Sequence, residues 1–304
     1  MSARRSAFLL LAVSIVIGSF SFTLVTLVLD ELSPLALACG RVVVSATMFT
    51  AVVLRSPQRR TPILAEHRWR VFLCGFGGSA MFHLLYNWGQ LRVSVAIAAV
   101  VMATYPVMTT LGEVIFLHHR LGGRQVVGVL LATAGCIAIG VTGGLGEGAG
   151  STAGVVAIAL AALTWAAVTV ITRDIGQRYD SWWLNTPGTV MGAACMLILA
   201  APQLGEFTRL SPTGWLAVIW LGSASSAFIY YSMARVMTVM SATTTTSITT
   251  IVTPASVVVA WAVLGEAPSA SEIVGGAVVV AGVMLVLHQG SGAEREGLRR
   301  GSST

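Results

Sequence analysis

The 304-residue chain contains no lysine, and charged residues of all kinds make up only 10% of it. Soluble chains carry about 25% charged residues, so this composition excludes an ordinary water-soluble domain. The four cysteines, Cys39, Cys74, Cys136 and Cys195, stand singly with no C-x-x-C pair, which leaves no basis for a disulfide framework or a zinc site. Each reads as a small core residue. A phosphate-binding loop ending in Gly-Lys-Ser/Thr and a dinucleotide fingerprint are both lacking, so nothing in the chain points to nucleotide-driven work or to any cofactor. The net charge of +6 is assigned to membrane topology and contact with anionic lipid rather than to nucleic acid.

What the chain has is apolar length. Hydrophobic residues make up 55% of it and the mean hydropathy is +0.83. A membrane span needs roughly 20 apolar residues, and runs of that kind read as ten spans, at about 6–29, 34–54, 71–91, 94–117, 125–143, 152–172, 182–201, 213–233, 241–264 and 272–289. The loops between them are too short for a soluble catalytic module. Arg4 and Arg5 before the first run resemble the start of a signal peptide, but the run continues to Leu29 without a small-residue cleavage site, so a retained helix is expected.

Arginine distribution sets the orientation. Fifteen arginines, among them Arg55, Arg59, Arg60, Arg173 and Arg235, fall on the side of the N-terminus, and only Arg92 and Arg209 on the other. By the positive-inside rule both termini are cytoplasmic, which requires an even number of spans.

Residues 94–143 and 242–289 read as two copies of one helix pair. Pro106 is followed by Gly128 and Gly135; Pro254 is followed by an LGE turn, then by Gly275 and Gly282, with both glycine pairs seven apart. Proline frees carbonyls within a span and small residues let helices approach closely. The copies lie an odd number of spans apart, so the second half is inverted relative to the first. Inverted repeats of this kind mark secondary transporters, with a site near the bilayer midplane where the halves meet. The Gly-rich stretch at 142–152 reads as the linker between halves. The domain division expected is 1–143, linker 144–151, 152–289, and a cytoplasmic tail at 290–304.

Positions three, four and seven apart share a helix face. Ser19, Thr23 and Thr26 form one stripe in the first span; Trp165, Thr169 and Thr172 repeat it in the sixth, 146 positions on. His83, Tyr86 and Asn87 share a face, as do Met102, Tyr105 and Thr109. The ninth span offers Thr246, Thr249, Thr250 and Thr253, and the eighth Ser223, Ser226 and Tyr230. Together they describe a cavity of hydroxyls, rings and one imidazole, suited to a small amphipathic solute. The competing reading is that such hydroxyls bond their own backbone or a neighbouring helix.

The span count, the two halves, the prolines of spans four and nine, the LGE turn at 264–266 and the stretch SFSFTLVTLVLDELSPLALACGR at 19–41 together resemble the EamA-type transporters of the drug/metabolite transporter superfamily. The resemblance runs from about residue 8 to 289. It implies an all-α integral membrane protein of ten helices, two inverted five-helix repeats around a central cavity, with spans 5 and 10 packed to one side. It also implies export of small metabolites such as amino acids across the inner membrane by alternating access. Multidrug or lipophilic-cation efflux is the alternative. A membrane-embedded lipid-modifying enzyme is disfavoured for want of a His/Asp/Glu cluster, and a channel for want of a charged ring or carbonyl filter. The expected partners are a small-molecule substrate and the lipid bilayer, with protons as one candidate for the drive. Fusion of both halves favours a monomer, and a homodimer is also compatible. Where the second half has Glu266, the first has His118 or His119, so no role of that glutamate carries to both halves.

Ionisable residues within spans are costly and usually functional. Arg41, which matches the family's arginine at this place, either attracts a substrate carboxylate or braces the bundle; bracing is the expectation, because span 2 is less central in the family. Glu113 is either a proton acceptor or cation site, or an interfacial partner for Arg120, Arg124 or His118; the interfacial role is the expectation. His83 either binds protons in turnover or stays a neutral hydrogen-bonded imidazole. Pro106 and Pro254 are expected to act as hinges.

Overall fold

The computed structural model describes residues 3–117, 123–124, 126–128, 130–132, 134–135, 151–240, 242–249, 251–265, 267–270, 273–282 and 284–285. Among them the chain is all helical and contains no strand. The first half supplies α1 (Ala3–Leu29), α2 (Pro34–Arg55), α3 (Arg68–Phe76), α4 (Phe82–Gln90), α5 (Val95–Met102) and α6 (Tyr105–Leu117). The second supplies α7 (Thr152–Ile175), α8 (Ser181–Leu199), α9 (Pro212–Gly222), α10 (Ile229–Val236), α11 (Ala242–Thr249), α12 (Val252–Leu264) and the short apolar α13 (Ile273–Gly282).

Five helical stretches are long and apolar enough to cross a membrane: Arg5–Leu29, Pro34–Arg55, Val95–Phe116, Thr152–Ile175 and Pro212–Val236. A sixth follows if Ser181–Leu199 and the 3₁₀ segment Ala201–Arg209, bent from it by 87°, are one span. The protein is therefore a multi-pass membrane protein by length and composition. The stretches are fewer than the ten expected runs, in part because the runs at 125–143 and 272–289 extend beyond the described residues.

Helix starts follow from local chemistry. Ser33, Ser94, Ser151 and Ser211 each accept a backbone N–H three residues on, from Ala36, Ile97, Gly154 and Gly214, at 2.9–3.4 Å. Asp180 does the same for Trp182 and Trp183. Such caps satisfy the orphan donors of a first turn, and Pro34 and Pro212 sit just inside, where no N–H is missed.

The interruptions recur. Between α3 and α4 lies a π-helical segment, Gly77–Met81; between α9 and α10 lies another, Ser223–Phe228. Their first residues are 146 apart. α5 and α6 break at Ala103–Thr104, just before Pro106, and a turn at Ile251 precedes α12, just before Pro254. Proline removes an i→i−4 bond and crowds the preceding turn, which accounts for both breaks.

Packing is dominated by contacts between halves: α2 and α3 lie on α8, α4 and α6 on α7, α1 on α12 and α10, and α5 on α12. At the α3–α8 crossing, Gly75 and Gly188 bring the backbones together so closely that a Cβ on Gly75 would lie 2.6 Å from the Gly188 Cα. The glycines of the repeat also meet reciprocally. A Cβ on Gly282 would lie 2.7 Å from the Gly128 carbonyl oxygen, and one on Gly135 would lie 3.2 Å from that of Gly275.

Candidate functional site

A cavity of about 150 Å³ lies between the halves, halfway along the long helices. Ser14, Gly18, Ser21 and Phe22 of α1 form one wall; Phe82 and Tyr86 of α4, with Arg41 of α2, another. The break between α5 and α6 contributes Met102, Ala103 and Tyr105. The second half adds Trp165 of α7, Ser225 of the π segment, Tyr230 and Met233 of α10, and Thr249, Val252 and Thr253 around the second break. Each π segment and each proline break therefore stands at or beside the cavity. Helices interrupted in this way leave backbone and side-chain groups free to line it.

One side of the cavity is a continuous run of rings. Phe22 meets Tyr86 edge-on at 5.7 Å, Tyr86 stacks on Phe82 at 5.5 Å, Phe82 leans on Trp165 at 5.3 Å, and Trp165 on Tyr230 at 5.0 Å. The other side is hydroxylic, and its hydroxyls join the halves. The Ser21 and Ser225 hydroxyls are 2.6 Å apart, Thr253 donates to the Ala99 carbonyl at 3.3 Å, and the Tyr105 hydroxyl bonds that of Thr249. Arg41 is the one charged residue among the described wall residues.

His83 sits behind this wall, 1% exposed, with Tyr230 between its ring and the cavity. Its protonation pattern follows from the donors around it. The Tyr230 hydroxyl donates to the Gly78 carbonyl and the Ser226 hydroxyl donates to the Leu221 carbonyl at 2.8 Å. Both oxygens then offer only lone pairs to His83 Nε2, 2.9 Å from each. Nε2 therefore carries the hydrogen, and Nδ1 is a bare, buried nitrogen with no partner among the described residues.

The residues expected from sequence divide into groups. Tyr86, Met102, Tyr105, Trp165, Tyr230, Thr249, Thr253 and Arg41 line the cavity. Thr169 lines a smaller void of about 20 Å³ beneath Trp165 and Tyr230, and its hydroxyl bonds the Trp165 carbonyl at 2.8 Å. Ser19, Thr23, His83 and Asn87 are buried behind the wall. Ser19 donates to the Ile15 carbonyl of its own helix at 2.8 Å, and its stripe neighbour Thr26 accepts from Gln90 Nε2 of α4 at 2.9 Å. Thr250, the Glu113 side chain, the loop histidines, Glu266 and the 144–150 linker lie outside the described residues. Pro106 and Pro254 each stand just past a helix break. Ser14, Gly18, Ser21 and Ser225 were not singled out from sequence. The signal that finds the three on α1 is the i, i+4, i+7 spacing of small residues at 14, 18 and 21; Ser225 has no such signal.

Cross-half contacts also close both ends of the bundle. Where α1 begins, Arg59 pairs with Asp180 at 2.8 Å, Arg70 with Asp174 at 2.6 Å, and the Tyr179 hydroxyl meets His67 Nδ1 at 2.8 Å. At the opposite end the Glu31 carboxylate accepts from the Ser211 N–H and hydroxyl, both at 2.8 Å, while Glu206 accepts from the Ser33 N–H at 2.6 Å. Each glutamate thus sits at the start of a helix of the other half, where the helix dipole favours an anion. The Ser211 N–H, and then its hydroxyl, hold the Glu31 carboxyl below the ordinary glutamate value.

The EamA-like transporter family matches the chain twice, over residues 5–141 and 152–288. A probable terminal-alkyne amino-acid exporter of Streptantibioticus cattleyicolor is 26% identical over 291 residues, covering 94% of this chain and 95% of the relative. An uncharacterized transporter, YdfC of Bacillus subtilis, is 28% identical over 215 residues, covering 70% of this chain and 69% of its own. A crystal structure of another protein superposes with a TM-score of 0.67 at 22% identity, covering 92% of this chain and 96% of that one; at that identity the likeness speaks for the fold alone.

Proposed function

From a chain that belongs to the EamA-like transporter family, we propose a secondary active transporter that exports small metabolites, amino acids among them, by alternating access. The observation that carries this reading is the mid-bundle cavity whose walls come from both family-matched segments and are bonded across them. Ten spans as two inverted five-helix halves, 1–143 and 152–289, account for the recurrence of the π segments at 77 and 223 and of the proline breaks. They also account for the mutual packing of Gly135 and Gly282 with the helix pair of the repeat. The amino-acid class is supported by the named activity of the Streptantibioticus relative, which aligns over nearly its whole length. An inner-membrane location with both termini cytoplasmic is supported by the arginine bias.

In this mechanism the halves rock about the cavity. The Ser21–Ser225, Tyr105–Thr249 and Tyr230–Gly78 bonds are the ones that must part and re-form, and the breaks before Pro106 and Pro254 absorb the bending. The rings hold the apolar part of the solute and the hydroxyls its polar part. Protons supply the drive, with His83 Nδ1 and Glu113 as the groups that would carry them.

Efflux of lipophilic cations is the second reading, favoured by the aromatic wall, since ring faces attract cations. The test is counterflow in proteoliposomes loaded with a metabolite pool, with and without a pH gradient, read by mass spectrometry. Saturable amino-acid exchange that responds to the gradient supports proton-coupled export. Exchange of tetraphenylphosphonium alone would move the assignment to cation efflux, and no exchange by folded protein would reject both.

A further inference from the structure

We propose that Arg41 is the specificity-determining residue of the cavity, anchoring a carboxylate, and that the site selects amphipathic carboxylates and rejects cations. The inference rests on the transporter reading for its biological meaning, but not for its physical test.

Arg41 is 3% exposed, lines the cavity and stands about 10 Å into α2, at the usual rise per residue, from Pro34. A guanidinium so placed must be matched, because an unpaired buried ion is costly. Its one hydrogen bond among the described residues runs from Nη1 to the Asn87 Oδ1 at 3.3 Å, a long bond to a neutral acceptor. Among the described residues Nε has no partner, no carboxylate lies within ion-pair distance, and the wall contains no Asp or Glu.

A brace would look different. It would spend its five donors on helix-end carbonyls or a carboxylate, whereas among the described residues a single amide holds the group. Asn87 is itself steadied by donating to the Pro34 carbonyl at 3.4 Å, so the guanidinium is oriented and left electrostatically open. Planar, delocalised and forked, it suits a carboxylate bound side by side. The ring wall of Tyr86, Phe82 and Trp165 runs along the same cavity and takes an apolar tail. An α-ammonium, where present, finds aromatic faces rather than an acid. A lipophilic cation would meet Arg41 as a like charge in a low-dielectric site.

The test is ligand-induced thermal stabilisation of the purified full chain, with 3-phenylpropionate and phenethylamine as probes of one tail and opposite head charges, and tetraphenylphosphonium as a lipophilic cation. Wild type should be stabilised by 3-phenylpropionate and by neither cation. Arg41→Gln should raise the half-saturating concentration by about 10-fold or more, the loss expected for a charged hydrogen bond, and Arg41→Lys by less. Asn87→Asp separates anchor from brace: a new carboxylate beside the guanidinium strengthens a brace but competes with a bound carboxylate. It should weaken 3-phenylpropionate binding at least as much as Arg41→Lys while the protein stays folded, and it carries the test should Arg41→Gln fold poorly. Equal stabilisation by phenethylamine, unchanged carboxylate binding in Asn87→Asp, or no binding of the carboxylate to wild type would overturn the proposal. Arg41-dependent binding without proteoliposome exchange would overturn the transport reading and leave the anchor standing; exchange that ignores Arg41 would do the reverse.

Discussion

Tyr230→Phe removes one oxygen atom from a buried contact between the two halves. That hydroxyl donates to the Gly78 carbonyl in the first π segment and receives the His83 Nε2 hydrogen at 2.9 Å. His83 keeps Ser226 at 2.9 Å, so the imidazole is not orphaned. Two buried bonds are lost, each worth about 0.5–1.5 kcal/mol in soluble proteins and about 0.6 kcal/mol on average in membrane interiors. The expected loss is about 1–2 kcal/mol, read as a fall of a few degrees in the melting temperature of the purified protein. The ring itself stays against Trp165 at 5.0 Å and His83 at 6.1 Å. Tyr230→Leu forfeits those contacts too, at roughly 0.5–1.5 kcal/mol per aromatic pair, and should fall further. The assay is intrinsic fluorescence on heating in detergent, with size-exclusion profiles to show that each variant is monodisperse. A Tyr230→Phe protein as stable as wild type, or as unstable as Tyr230→Leu, would refute the hydrogen-bond bookkeeping around His83.

Other expectations follow from the same geometry. Gly75→Ala should destabilise by about 1–3 kcal/mol, the usual cost of overpacking, because its Cβ would lie 2.6 Å from the Gly188 Cα; Gly205→Ala, with nothing within 4 Å of the new Cβ, serves as the neutral control in the same melt. Glu31 has a lowered folded value, so its contribution is fully present above the unfolded glutamate value and is lost as pH falls through the folded one. Melting temperatures of wild type and Glu31→Ala should therefore differ at neutral pH and converge in acid; a constant difference at every pH would count against the Ser211 contact. Asp180 both caps α8 and pairs with Arg59 at 2.8 Å. Asp180→Asn should cost under about 1 kcal/mol, as part-exposed ion pairs do, and Asp180→Ala roughly 1 kcal/mol more through the lost cap.

Much of the helical framework is legible in the sequence because its signals are local. Ser33, Ser94, Ser151, Asp180 and Ser211 announce helix starts by type, and Pro106 and Pro254 announce breaks. The π segments are not legible, since a one-residue bulge in Gly77–Met81 or Ser223–Phe228 leaves the apolar pattern nearly intact. The site is legible on the ring side, where Tyr86, Trp165 and Tyr230 could be placed by helical spacing. It is less so on α1. There the polar stripe of Ser19, Thr23 and Thr26 looks the same whether it meets a cavity or a neighbour's Gln90, while the true wall includes Gly18 and Phe22, which carry no polar signal. Whether His83 touches the cavity depends on where the Tyr230 ring falls, a matter of packing between elements distant in sequence. Arg41 stands out in the sequence as either a carboxylate attractor or a brace, but its place on the cavity wall depends on packing in the same way, since a peripheral helix can still turn one residue inward.

The most direct test of the central claim, that a solute crosses through the cavity between the halves, is proteoliposome counterflow of wild type beside Ala103→Phe. Ala103 is 2% exposed and sits on the cavity wall at the α5–α6 break, so a phenyl ring there has the cavity as its nearest free space. Saturable amino-acid exchange by wild type, lost in an Ala103→Phe protein that elutes and inserts normally, is the predicted result. Exchange that persists unchanged with the cavity filled would place the path elsewhere and contradict the account.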